Sequence, residues 1–342
     1  MKAVVQRRYG PADEVLEVGE LERPGLGEDD VLVEVVASAI HPDIWHMVTG
    51  LPYVMRLMGG GLLRPKHPVP GTDLAGRVVE VGSRVTRFAP GDEVFGEVVL
   101  GFQWQNGGTY AEYAAVPERA LAHKPEGLTF EEAAAVPTTG LIAERCLRVE
   151  ARLEAGQHIL INGAGGGVGT FAVQIAKARG AEVTAVDHAS KLTMLRSIGA
   201  DHVIDFEAED VTQGDARYDA ILDVASTLPL DGAKRILAPD GVYVRVGHEH
   251  YEERRRRVFG SLPSMFALLA RSPFDPHLPK VDFTVDVEEG LRHLVRLIDD
   301  GKLTPVVDRA FRLDEVRDAI RYLKQGGVQG RAVLRIGSAG ER

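Results

Sequence analysis

The stretch Asn162-Gly163-Ala164-Gly165-Gly166-Gly167-Val168-Gly169 constrains this chain more than any other. It follows the short apolar run His158-Ile159-Leu160-Ile161, which reads as a buried strand. It precedes the apolar-periodic residues Phe171, Val173, Ile175 and Ala176, which read as a helix. Strand, glycine turn and helix in that order bring the free N–H groups and positive dipole end of a helix to the turn. The glycines leave out the Cβ atoms that would keep a pyrophosphate from the backbone. A second strand, Glu182-Val183-Thr184-Ala185-Val186, ends in Asp187. That acid lies about 20 residues beyond the glycines, where a dinucleotide site needs a ribose partner. The pattern predicts a dinucleotide at Gly163, Gly165, Gly166, Gly167, Val168 and Gly169, rather than only a tight structural turn.

A chain of 342 residues is long enough for two domains with cores of their own. Its net charge of −10 argues against non-specific nucleic-acid binding. The one cysteine, Cys146, excludes an internal disulfide framework and any site built from several thiolates. It suits a reducing cytoplasm, the expected location, and its apolar neighbours predict a core residue. No apolar run reaches the length of a membrane span, and the opening Met1-Lys2-Ala3-Val4-Val5 reads as a strand rather than a secretory signal. Neither a membrane nor a nucleic-acid partner is expected.

From residue 1 to about 120 the pattern is short strands and turns, with strands expected at 31–37, 76–82 and 93–95. This predicts a β-rich, partly barrel-like domain. Beyond about residue 125, strands and helices alternate: 158–162, 170–179, 182–187, 190–198, 202–205, 219–223, 230–237 and 241–246. That rhythm implies a doubly wound parallel sheet, so the fold class expected is α/β. Between 248 and 287 the pattern is less regular. The basic run Arg254–Arg257 reads as a solvated face, and Ser261–Leu269 as amphipathic or buried. Helices are expected at 288–300 and 313–325, and a last strand at 331–336.

Several motifs now stand together: Pro70-Gly71-Thr72-Asp73-Leu74-Ala75-Gly76, Pro90-Gly91-Asp92-Glu93-Val94-Phe95-Gly96, Gly107-Gly108-Thr109-Tyr110-Ala111-Glu112-Tyr113, Ala133-Ala134-Ala135-Val136-Pro137, the glycine loop, and Gly330-Arg331-Ala332-Val333. With them the chain resembles the medium-chain dehydrogenase/reductase superfamily, most of all its zinc-free quinone oxidoreductase (zeta-crystallin-like) branch. The resemblance covers nearly the whole chain. It implies a GroES-like catalytic domain from residues 1–122 and 288–342, and a Rossmann dinucleotide-binding domain from 123–287. It implies a cleft between them for nicotinamide and substrate, and a homodimer joined through the nucleotide domains.

Zinc is where the resemblance divides. Zinc-dependent relatives bind the metal through a Cys, the His of a Gly-His-Glu motif, and a second Cys or acid. Here Gly71-Thr72-Asp73 takes the place of Gly-His-Glu, His41 stands at the first cysteine position, and the second falls near Ala135. A tetrahedral site needs three or four converging ligands. His41, Asp43, His46 and His67 are the available set, with a Leu-rich loop between His67 and the rest, so no metal is expected.

Without a metal, the negative charge that hydride transfer creates needs a hydrogen-bond donor or proton source. The resemblance points to the segment Ser38–His46 for such groups. His41, His46 and Tyr53 are the candidate catalytic residues. Most zinc-free relatives carry Asn where His41 stands and Tyr near His46, so this chain departs at both. Trp45 is expected in the core. For the cofactor, NAD(P)(H), two signals compete. Asp187 suits both ribose hydroxyls of NAD and repels the 2′-phosphate of NADP. Lys191 stands where zinc-free relatives hold that phosphate, with His188 and Ser190 beside it. Asp187 tips the reading to NAD(H). Thr138 and Thr139, with Phe206 and Gly247, which the resemblance puts beside the adenine and the nicotinamide, complete the candidate cofactor contacts; Phe206 reads equally as a core residue.

The expected activity is zinc-independent hydride transfer to a small apolar quinone, enone or enoyl compound, or aldehyde. The resemblance implies a substrate pocket lined by loops such as 41–65 and 250–280; the apolar Tyr53–Met58 and Met265–Leu269 in them fit a hydrophobic substrate, and also packing or a dimer contact. Two alternatives stand beside it: a crystallin-like or regulatory NAD(P)H-binding protein with little turnover, and a metal-dependent alcohol dehydrogenase.

Overall fold

In the computed structural model, which describes residues 1–98, 107–247, 258–280 and 286–337, the first part of the chain is strands and turns. Strand β1 (Lys2–Gln6) leads through the single-turn helix α1 (Ala12–Val15) to β2 (Leu16–Glu20), with which it pairs antiparallel. There follow β3 (Asp30–Ile40), α2 (Ile44–Thr49), β4 (Asp73–Val81), β5 (Glu93–Glu97), β6 (Tyr113–Pro117) and β7 (Leu121–His123). β3 pairs with both β4 and β6, and β4 carries β5 and β7 beyond it. β3 is longer than the predicted 31–37 and is buried over most of its length, because it has neighbours on each edge.

Helix α3 (Phe130–Ala134) starts on a capping box: Thr129 Oγ1 accepts the Glu132 N–H at 3.2 Å, and Glu132 Oε2 accepts the Thr129 N–H at 2.8 Å. Helix α4 (Pro137–Arg145) begins with proline, whose missing N–H costs nothing at that position. Then β8 (His158–Asn162), α5 (Gly167–Ala178), β9 (Glu182–Asp187), α6 (Leu192–Ser197), β10 (His202–Asp205), β11 (Tyr218–Asp223), α7 (Leu230–Ile236) and β12 (Leu237–Arg245) form the alternating part. Their strands pair parallel in the order β10-β9-β8-β11-β12. This is the doubly wound arrangement, and its switch point lies between β8 and β11. Ile159, Leu160 and Ile161 are all fully buried, as expected of a central parallel strand packed on both faces. Cys146 is buried too.

The chain goes on through α8 (Leu262–Arg271), α9 (Val287–Asp299), β13 (Val307–Arg312), α10 (Val316–Lys324) and β14 (Arg331–Arg335). β14 returns to the first sheet, antiparallel to β3 and parallel to β13. The expected 261–269 element is present as α8, yet none of its residues is buried, and Met265 and Phe266 face solvent. The basic run Arg254–Arg257 lies outside the described residues. One apolar cluster runs through both parts of the molecule, taking in Ala37, Ala75 and Phe95 with Phe130, Leu147, Ile159 and Phe171. No described helix is long and apolar enough to cross a membrane.

The helix after the glycine turn starts at Gly167, earlier than the apolar period alone indicated. It can do so because Gly169 lets it press on the turn. A Cβ at Gly169 would run into the Gly163 carbonyl and the Ala164 backbone. Gly169→Ala is therefore expected to cost roughly 1–3 kcal/mol of unfolding free energy in denaturant titration, through overpacking against backbone that has nowhere to move.

Candidate active site

The glycine loop lies at the C-terminal end of β8, next to the switch point where doubly wound sheets take their ligands. Gly163 turns the chain with φ +79, a conformation that favours glycine. Gly165 packs on Lys191 and Asp187, Gly167 packs on Arg331 and Thr139, and Val168 enters the core. Gly166 differs from these: a Cβ there would meet only the Gly163 carbonyl, at an ordinary contact distance of 3.7 Å. No side chain caps the N-terminus of α5. The loop is also tied to the far end of the chain. The Gly330 N–H donates to the Gly165 carbonyl at 2.9 Å, and Gly166 and Gly330 form a parallel bridge.

Residue 331 follows at once, and it is an arginine only 2% exposed. Its Nη2 pairs with Asp73 Oδ2, from β4. Its Nε and Nη1 are buried and have no hydrogen-bond partner among the described residues. A guanidinium keeps its charge in proteins. Two unsatisfied donors on a buried cation, beside an open glycine and an uncapped helix start, fit the pyrophosphate of a dinucleotide. The cradle and the donor set agree on the kind of group held there.

Asp73 joins the two parts of the molecule. Its Oδ1 accepts the Thr138 N–H at 3.0 Å and the Thr138 hydroxyl at 2.5 Å. Ser38 donates to the Asp73 carbonyl and stands 2.9 Å from the Thr109 hydroxyl. Thr138 Oγ1 also lies 2.8 Å from Glu97 Oε1 at the end of β5. Burial, with the Asp73 charge behind it, pushes the Glu97 carboxyl up to about 7, against the pull of Thr138 and His41.

Of the three candidate catalytic residues, His41 and His46 lie within electrostatic reach of each other and of Asp43. His41 Nδ1 accepts the Asp43 N–H at 3.2 Å and lies 3.3 Å from Asp43 Oδ2, within electrostatic reach of Glu97. His46 is buried in α2, and its Nδ1 donates to the Leu51 carbonyl at 2.6 Å. Burial pushes its pKa down, with Asp43 and the Leu51 carbonyl opposing. It lines a pocket with Tyr9, Arg56, Lys66 and His67. Tyr53 is 45% exposed, under the Arg56 guanidinium, whose carbon lies 4.8 Å from the ring centre. Trp45, expected in the core, is half-buried and meets His46 edge to face. Helix α2 turns its apolar stripe of Ile44, Met47 and Val48 inward, which leaves Trp45 toward the rim.

At the end of β9, Asp187 is buried and paired with backbone and Lys191. Its Oδ2 accepts the Gly165 N–H at 2.7 Å, and its Oδ1 accepts the His188 N–H at 2.8 Å and lies 3.3 Å from Lys191 Nζ. The two competing signals of the sequence are thus partners of each other. Ser190 Oγ stands 2.9 Å from His188 Nδ1. Phe206 is 54% exposed and so is not a core residue; its ring lies 6.2 Å from that of His188. The Ser226 hydroxyl donates to the Gly247 carbonyl at 2.6 Å, and a Cβ at 247 would run into the Val224 carbonyl.

Sequence reading passed over Glu97 and the role of Arg331, although both adjoin quoted motifs. A carboxylate directly after the apolar Val94-Phe95-Gly96 was the available signal. Among the described residues, the metal-type ligand atoms that gather in a set of three belong to His158, Glu182 and His202, at the opposite ends of β8 to β10.

Residues 27–126 match the alcohol dehydrogenase GroES-like domain family, and residues 198–334 match the zinc-binding dehydrogenase family. The chain is 30% identical to a chloroplastic quinone oxidoreductase from Triphysaria versicolor, over 98% of each. It is 32% identical to a 2-methylene-furan-3-one reductase from Solanum lycopersicum, over 98% of this chain and 79% of that one. It is also similar to the solved structure of an NAD-dependent alcohol dehydrogenase, with a TM-score of 0.80 and 30% identity over 98% of this chain and 100% of that one.

The room for a Cβ at Gly166 separates binding from stability. Its extended backbone, φ −87 and ψ −177, suits a β-branched residue. Gly166→Val is expected to melt within a few degrees of the wild type and to lose the fluorescence change on titration with NADH or NADPH. Undiminished titration would take the pyrophosphate away from this loop.

Proposed function

The chain belongs to the medium-chain dehydrogenase/reductase superfamily, in its quinone oxidoreductase-like branch, and from that premise we propose a zinc-independent reductase of small apolar enones or quinones. It is an oxidoreductase that works with a nicotinamide cofactor. The observation that carries the finer reading is the buried Arg331 at the glycine loop, continuous through Asp73 and Thr138 with the polar group Glu97, His41 and Asp43.

The reduced nicotinamide supplies the hydride. Gly166, the start of α5 and the free donors of Arg331 hold the pyrophosphate. Thr138, fixed by Asp73 through both its N–H and its hydroxyl, borders the reacting end. Phe206 offers its exposed ring to the adenine. Asp187 faces the ribose, and because it neutralises Lys191, no unopposed lysine is left there for a 2′-phosphate. This supports NAD(H). Leu57, Leu62, Leu63 and Phe266 are exposed apolar side chains, and the Val54 N–H donates to the Val258 carbonyl at 3.0 Å. Apolar surface with a few polar groups suits a hydrophobic molecule that carries one carbonyl. The enone named by the tomato relative is of that kind.

Zinc has no place in this reading because His46 gives its Nδ1 to the Leu51 carbonyl, and the metal-type ligand atoms that gather in a set of three among the described residues are those of His158, Glu182 and His202, at the other end of the parallel sheet. Stoichiometric zinc in the purified protein, lost with His41→Ala, would reverse that part. Steady-state assays with NADH and NADPH against a quinone and enone panel test the rest. Turnover with at least one enone or quinone is expected, and cofactor binding with no turnover would favour a binding protein. Asp187→Ser removes the acid and frees Lys191, so the ratio of kcat/KM for NADPH over NADH should rise by about tenfold or more, the equivalent of one charge–phosphate contact of about 1.4 kcal/mol. No change in that ratio would take the ribose away from Asp187.

A further inference from the structure

We propose that Glu97 is the proton store of the cleft, a carboxylic acid that completes the reduction of an enone by protonating its α-carbon. This deepens the reductase reading above and rests on it.

The inference comes from counting protons. Thr138 Oγ1 is 2.5 Å from Asp73 Oδ1 and 2.8 Å from Glu97 Oε1, so one hydroxyl stands between two carboxyl groups. A hydroxyl carries a single proton and can donate once. Asp73 is also the partner of Arg331 and takes the Thr138 N–H, which marks it as the carboxylate. The Thr138 proton goes to Asp73, the nearer oxygen. The remaining bond, between Thr138 and Glu97, then needs a proton of its own, and Glu97 must bring it. Two buried carboxylates facing one hydroxyl would otherwise repel each other across it. The groups that face Glu97 are Asp73 on β4, Thr138 on α4, and His41 and Asp43 after β3. Arg331 on β14 is turned to Asp73. Glu97 is not closed off, since part of it remains accessible.

The chemistry balances without any further reagent. Hydride brings two electrons and one hydrogen to the β-carbon of the enone, and the C=C π pair becomes an enolate. The O–H bond of Glu97 breaks and a C–H bond forms at the α-carbon. This leaves the saturated ketone and a Glu97 carboxylate, which water reprotonates. The site is ready for that change of charge. When Glu97 ionises, the Thr138 hydroxyl swings from Asp73 to Glu97, while Asp73 keeps the Thr138 N–H and Arg331. Neither carboxyl loses all its partners in either state.

Infrared difference spectroscopy on the cofactor-free protein reads the proton directly. A carboxylic-acid C=O band should be present at pH 6, fade as pH rises through about 7, and be missing from Glu97→Gln. In turnover with an enone, wild-type kcat should fall along the same alkaline limb. Glu97→Gln should lower kcat at pH 6 by about 10²-fold, the usual size of a general-acid contribution, with KM for the reduced cofactor unchanged. Glu97→Asp, which keeps a carboxyl, should recover part of kcat and restore a pH dependence. A wild type without the band, or a Gln variant with wild-type kcat and pH profile, overturns the proposal. A wild type that turns over no enone or quinone sinks the reductase reading instead, and the infrared band then decides alone whether Glu97 holds the proton.

Discussion

The buried pair of Asp73 and Arg331 is the interaction on which the rest of the site depends. Its members are 258 residues apart in the chain, and both are almost wholly removed from solvent. Taking two charges out of water is costly, and removing one partner alone costs about 3–5 kcal/mol because the other is left uncompensated. A pair like this is a poor device for stability, since apolar residues would serve as well or better. Its value here is geometric. Asp73 sits on β4, Arg331 on β14, and the Thr138 held by Asp73 opens α4. One carboxylate thereby fixes the β-rich part, the returning end of the chain and the approach to the nucleotide sheet.

The same pair sets the electrostatics in two directions. Toward the glycine loop, Arg331 keeps two donors without partners, and Gly330 brings the loop backbone against it through the bond to Gly165. A bound anion would satisfy what the protein leaves open. Toward the substrate side, the Asp73 charge and burial together discourage a second ionised carboxyl at Glu97. Anion binding and proton retention are thus two consequences of one buried ion pair.

Local patterns were legible in the sequence. The glycine loop, the alternation from β8 to β12 and the strand at β14 follow from residues within a few positions of one another, where turn chemistry and apolar period act, whereas the return of β14 to β3 was implied only by the family resemblance. Element ends shifted by a few residues, as at α5, which starts on the glycines themselves. Side-chain partnerships were less legible. Asp187 and Lys191 read as rival signals, and the fold makes them an ion pair. His46 read as catalytic, and α2 buries it with its Nδ1 on the Leu51 carbonyl. Phe206 could be adenine contact or core, and its exposure decides against the core. Glu97 drew no notice, because its significance comes from a threonine 41 positions later.

By itself, the sequence determined that a dinucleotide-binding α/β unit follows a β-rich one, because glycine, apolar period and turn residues act over short range. Only the tertiary structure decided which charges face each other. Asp73 with Arg331, Asp187 with Lys191, and Glu97 with Thr138 are set by how strands from distant parts of the chain come to lie side by side. In a low-dielectric interior, those few ångströms govern which carboxyl keeps its charge and which keeps its proton.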